Sequence, residues 1–203
     1  RLVHSTEWKA EGFGVDDVIG VLAVNPDAAK DKSTLAHEIG HIFQYQVYCD
    51  QVLNKEVTAN FHSGWRYEIG SVGCGFWEQT AQWQSFMMCP DQTFTNWYFD
   101  AYKNPVEATD GTDLGCFVSN CHRHFLHEVM RYSSYFFHYF ITDKYGLDAV
   151  GRIWRASRYP DDALQAYMKL FNLSVNDLNK DIYDYAARCV TWDFNATHEE
   201  GVK

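Results

Sequence analysis

The stretch "VIGVLAV" (18–24) is apolar throughout and one strand long, and the turn-forming "NPD" at 25–27 closes it. Ser33 or Thr34 then stands where a helix cap is expected, for a helix running through His37 and His41 to about Tyr48. Residues 50–75 mix short polar and apolar pieces around glycines 64, 70, 73 and 75, and predict irregular structure. In "FWEQTAQWQSFMM" (76–88), Phe76, Trp77, Ala81, Trp83, Phe86 and Met87 cover most of a helical circumference. That pattern predicts a helix buried nearly all round. After a polar, loop-like stretch (89–120), the remainder reads as helical. One helix is expected over about 121–145, stopped by Gly146 as a left-handed cap. Others are expected over about 147–157, after Pro160, and from the capping box "SVND" (174–177) to about Cys189. No repeat or linker divides the chain, so one domain over 1–203 is expected. The fold class is α+β: a small N-terminal strand layer and a helix-rich remainder.

Composition refines this picture. Of 203 residues, 46% are hydrophobic and 22% charged, as in ordinary globular chains, but 17% are aromatic. Such a load fits either a thick core or a cleft lined with rings. The net charge of −10 argues against nucleic acid and anionic membrane surfaces, which need a basic patch. No apolar run approaches the roughly 18 residues of a bilayer span, so membrane insertion is not expected. The sequence opens at Arg1 with neither Met nor a leader pattern, and reads as a processed or trimmed piece. Cysteines fall at 49, 74, 89, 116, 121 and 189, with no C-x-x-C pair. An even count without metal spacing leans toward an oxidising, extracytoplasmic compartment. Cys116 and Cys121, bracketing the turn-like "FVSN", are the expected disulfide.

The chemistry lies in "HEIGH" (37–41). Residues four apart share a helix face, so His37 and His41 can aim two imidazoles at one tetrahedral Zn²⁺. Glu38 points to the neighbouring side, placed to reach a metal-bound water as general base. Zinc brings the pKa of such a water toward about 7. Gly40 costs a helix about 1 kcal/mol against Ala, and its place here suggests that another backbone or ring comes close. A third His six residues after His41 is excluded, because position 47 is Val. Glu56, Glu68, Glu78 and His62 are the alternatives. Glu78 is favoured: it sits in the helix expected to be buried, where a carboxylate needs a cation.

"HEIGH" followed by a helix carrying "WEQTA" resembles the gluzincin clan of zinc metallopeptidases, over about 33–88. The segments 135–154 and 183–194 are similar, more loosely, to the helical part of secreted bacterial gluzincin-like proteins. The resemblance implies a zincin-like domain that hydrolyses peptide bonds in proteins, outside the cytoplasm of a bacterium. It implies His37, His41 and Glu78 as zinc ligands and Glu38 as general base. It also implies a downstream Tyr or His at the oxyanion; Tyr132, Tyr135, His124 and His127 are available, and Tyr132 is preferred. Many gluzincins place an acid four residues after the third ligand, whereas this chain has Gln82, able to accept a hydrogen bond with less polarising power. "NKEVTAN" (54–60) resembles a different group, zinc peptidases directed at mucin-like glycoproteins, in which Glu56 would be the third ligand. The expected partner is a protein or glycoprotein substrate, aligned by a sheet edge near "VIGVLAV". The alternative from another class is a zinc-stabilised binding module that holds a polymer without cutting it.

Overall fold

A computed structural model describes residues 2–4, 10–15, 19–56, 72–95, 99, 117–158 and 160–197. Three strands, β1 (Leu2–His4), β2 (Ala10–Val15) and β3 (Ile19–Val24), form one small sheet in the order β1-β3-β2. β3 pairs parallel with β1 and antiparallel with β2. Residues 19–24 of the apolar run are therefore the central strand, which explains their lack of polar alternation. That strand is flanked by β2 along its length and by β1 over Leu22–Val24, so among the described strands the sheet's outer members are β1 and β2.

Helix α1 (Lys32–Leu53) packs against the sheet. At Gly20 a Cβ would lie 2.4 Å from Cγ2 of Ile42, so the Ile42 side chain rests directly on the strand backbone there. The cap is Asp31, two positions ahead of Ser33 and three ahead of Thr34, the residues expected to serve. Its carboxylate accepts the Ser33 N–H at 3.0 Å and the hydroxyls of Ser33 and Thr34 at 2.9 and 2.7 Å. A carboxylate can take several donors at once, and both hydroxyls bond to it. The helix continues past Tyr48 because Tyr48, Cys49 and Gln51 are buried, with Gln51 donating to the Arg155 carbonyl at 3.1 Å.

Helix α2 (Val72–Met88) lies alongside α1 and is buried along almost its whole length from Gly75 to Phe86, as its pattern predicts. Ser85 Oγ donates to the Ser33 carbonyl at 2.7 Å, tying the end of α2 to the start of α1.

The continuous helix expected over 121–145 is not formed. After the single turn α3 (Phe117–Asn120), the chain runs through turns, with a 3₁₀ turn at Glu128–Met130, and becomes helical at α4 (Phe136–Tyr145). The ring nitrogens of His124 and His127 accept the N–H groups of Leu126 and Val129, both at 3.1 Å. Such local side-chain bonds compete with the helical ladder. This irregular stretch is pinned to α2: Gln79 donates to the Phe125 carbonyl at 2.5 Å and Gln82 to that of Tyr132 at 3.3 Å. Gly146 closes α4 where expected, but at φ 96° and ψ 162°, a positive-φ conformation outside the left-handed helical region expected of it.

Helices α5 (Ala149–Ala156), α6 (Ala163–Phe171) and α7 (Val175–Thr191) complete the fold. α6 starts at an Asp162–Gln165 capping box, two residues beyond Pro160, and α7 at the expected box of Ser174 and Asp177. Every residue from Phe136 to Thr142 is buried, and Phe76, Tyr167 and Phe194 pack around that helix. The aromatic load thus goes largely into the core.

Cys49, Cys89, Cys121 and Cys189 are free thiols, and Cys121 is exposed. The expected Cys116–Cys121 bridge is absent on the Cys121 side, and Cys116 lies outside the described residues. "FVSN" forms a helical turn, α3. Among the described residues no helix is long and apolar enough to cross a membrane.

Candidate metal centre

α1 presents His37 and His41 one turn apart, and α2 brings Glu78 against both. Nε2 of His37 is 3.0 Å from Glu78 Oε2, Nε2 of His41 is 3.3 Å from it, and the two ring nitrogens are 3.1 Å apart. All three residues are buried. Their approach depends on Gly40, where a Cβ would stand 3.2 Å from the Ala81 Cα and 2.4 Å from Gln84 Oε1. The close backbone approach suggested by that glycine is the contact between α1 and α2.

The opposite ring nitrogens are also engaged. Nδ1 of His37 is 2.9 Å from Gln82 Oε1, and Nδ1 of His41 is 2.7 Å from Gln44 Oε1. Each glutamine is oriented by its own amide nitrogen: Gln44 donates to the Trp77 carbonyl at 2.8 Å, and Gln82 to the Tyr132 carbonyl. Both amide oxygens must then accept, so both Nδ1 atoms carry hydrogen and both Nε2 atoms present lone pairs. Two imidazole lone pairs and a carboxylate oxygen therefore converge at 3.0–3.3 Å.

Such a cluster repels itself unless a cation or a proton lies within it. In the metal-free protein a proton serves. Burial pushes the His41 imidazolium down, but the hydrogen bond and charge of Glu78 outweigh it and raise it to about 8. Burial likewise raises the Glu78 carboxyl, and the two histidines overcome that and hold it well below the usual carboxylate range. A metal fits the same place. Donors on a tetrahedral ion with bonds of about 2.0–2.1 Å stand roughly 3.3 Å apart. Opening the observed contacts by a few tenths of an ångström gives that spacing.

Tyr132 is also at the site. Its hydroxyl donates to Glu78 Oε1 at 3.1 Å, and its ring centroid is 6.0 Å from that of His37. Glu38 is half-buried on α1, and its charge contributes to raising His41. The other candidates lie elsewhere. Tyr135 is buried with its hydroxyl on the Thr93 carbonyl, while His124 and His127 are exposed. Glu56 lies beyond the end of α1 in an exposed ion pair with Arg158 at 2.8 Å, apart from the histidines. His62 and Glu68 lie outside the described residues. Gln44 is the residue that sequence reasoning missed; its place three after His41, on the same helix face, was the available signal.

A family model described as a family of unknown function, DUF6055, matches residues 1–202. No curated protein and no solved structure matches the chain.

Proposed function

We propose that this chain, which belongs to the DUF6055 family, is a zinc metallopeptidase of the gluzincin type, built on a zincin-like fold and acting on protein or glycoprotein substrates. The observation that carries the reading is the convergence of His37 Nε2, His41 Nε2 and Glu78 Oε2, with both Nδ1 atoms already committed to glutamine oxygens. Two imidazoles and one carboxylate are a donor set suited to catalytic zinc, with a fourth position left for water. Bound there, zinc would polarise a peptide carbonyl and bring a coordinated water to a pKa near about 7.

The chain's own residues do the rest. Gln44 and Gln82 hold the imidazole rings in the tautomer that leaves Nε2 free. Tyr132 holds the second oxygen of Glu78, so that Oε2 alone faces the histidines. Glu38 takes a proton from the attacking water on its carboxylate and delivers it to the leaving nitrogen. With its hydroxyl hydrogen on Glu78, Tyr132 orients a ligand in this arrangement; to meet an oxyanion it would have to leave that carboxylate.

A zinc-held binding module is the second reading, supported by Gln82, which orients His37 without the charge of an acid. Peptide-library cleavage by zinc-loaded wild type and Glu38→Gln separates the two. The peptidase reading expects cleavage by the wild type alone, with equal zinc in both proteins. Zinc-loaded wild type that cleaves nothing across a broad library of peptides and mucin-type glycopeptides overturns it.

A further inference from the structure

Away from the metal centre, the irregular stretch 121–134 and helix α7 enclose a cavity of about 470 Å³. Its walls are mostly apolar, with Phe125, Met130, Ile182 and Trp192 among them. Two buried hydroxyl residues also line it. Ser134 is fully buried and its Oγ makes no hydrogen bond. Tyr185 is 5% exposed; its Oη has the Cys189 thiol beside it and no nitrogen or oxygen partner. A buried hydroxyl left without a partner costs about 1–3 kcal/mol, so Ser134 Oγ, beside a Tyr185 hydroxyl whose neighbour is only a weakly bonding thiol, calls for an occupant with an oxygen.

The charge pattern limits that occupant. Arg123 in the lining is exposed, and burial lowers the His124 imidazolium so that it is neutral at neutral pH; neither neutralises an ionised group at the depth of Ser134. An anion buried there would lose its hydration without compensation. An apolar body with one neutral oxygen satisfies walls and hydroxyls together, and the volume suits a single small molecule.

We propose that this cavity is a binding site for a small, uncharged, mainly apolar molecule bearing one hydroxyl or carbonyl oxygen, held between Ser134 and Tyr185. The site is independent of the metal centre and of any hydrolytic activity.

The test is calorimetric titration of the full chain at neutral pH with 4-propylphenol and, separately, with 4-propylbenzoate, the same body carrying a charge. One saturable site for the phenol is expected, with Kd on the order of 100 µM. Ala186→Trp, on the exposed rim of the cavity, should weaken binding about tenfold or more by filling the space. Ser134→Ala, which removes an unpartnered group and should not impair folding, should weaken it roughly fivefold. The benzoate should bind about tenfold or more weakly than the phenol. Circular dichroism establishes that both variants fold; should Ala186→Trp fail that check, Ala186→Phe takes its place. Absence of saturable binding would mean that water alone meets the hydroxyls, and overturns the proposal. So would phenol binding unchanged in either folded variant, or benzoate binding as tight as the phenol.

Discussion

Nδ1 of His37 lies 2.9 Å from Oε1 of Gln82, a neutral amide on the neighbouring helix. The contact joins α1 to α2, and the same amide reaches on to the Tyr132 carbonyl at 3.3 Å. One neutral side chain thus fixes the tautomer of a ligand and the place of the loop that carries Tyr132. His41 is treated in the same way by Gln44.

If these amides set the tautomers, replacing either with an apolar side chain of similar size releases the ring it holds. Gln82→Leu and Gln44→Leu are each expected to weaken zinc binding roughly 10–100-fold, read by competition with a chelator of known affinity. Zinc affinity unchanged in both variants would mean that the rings are oriented by packing alone.

Tyr132→Phe removes the donor to Glu78 Oε1 and leaves a buried carboxylate oxygen short of one bond. Metal-free protein is expected to lose about 1–3 kcal/mol in urea unfolding, and zinc affinity should fall several-fold. A residue acting only on the oxyanion would behave differently: kcat would fall while zinc affinity and stability stayed put.

The parts of this architecture that were legible in the sequence are those whose signal is local. The apolar run of β3, the all-round burial of α2, the α7 capping box and the Gly146 stop depend on residues near in sequence, and each is found in the structure. Glu78 was legible for a related reason: a carboxylate among Phe76, Trp77 and Ala81 has to be accounted for. The break in the helix expected over 121–145 was not legible. It depends on bonds from Gln79 and Gln82, more than forty residues earlier, and on imidazoles capping their own backbone. The central position of β3 was hidden too, since an apolar run does not say which strands flank it. Gln44 carries no local sign of its role, which depends on its amide reaching the Trp77 carbonyl on another helix.

The close approach of α1 and α2 at Gly40 gives a third expectation. Gly40→Ala gains up to about 1 kcal/mol of helix propensity; its Cβ asks the Ala81 backbone to give by a few tenths of an ångström and the end of the Gln84 side chain to swing aside. Gly40→Val adds two methyl groups in the same place and should separate the helices. It is expected to cost about 1–3 kcal/mol in urea unfolding and to weaken zinc binding more than Gly40→Ala does. Equal zinc affinity in both variants would detach the helix contact from the geometry of the site.

His138 gives a prediction independent of the metal. Fully buried, with Nε2 2.8 Å from Thr80 Oγ1, it is pushed down to about 3 by desolvation. Unfolded, it would take up a proton near its ordinary 6.5. Between those values the unfolded chain binds the extra proton. Its stabilising contribution is therefore complete above pH 6.5 and is lost as pH falls from 6.5 toward 3. By pH 5 the loss should be about 2 kcal/mol. His138→Gln should shrink the stability difference between pH 7 and pH 5, measured on metal-free protein, by about that amount. An unchanged difference would show that His138 is not held neutral.

The measurement that bears most directly on the metal centre is anomalous scattering on either side of the zinc edge, from a crystal of the full chain grown with zinc. One strong peak is expected within about 2.0–2.1 Å of His37 Nε2, His41 Nε2 and Glu78 Oε2, with Gln44 and Gln82 still on the two Nδ1 atoms. No peak among these three residues, or a peak that draws in Glu56 in place of Glu78, would contradict the assignment of the site.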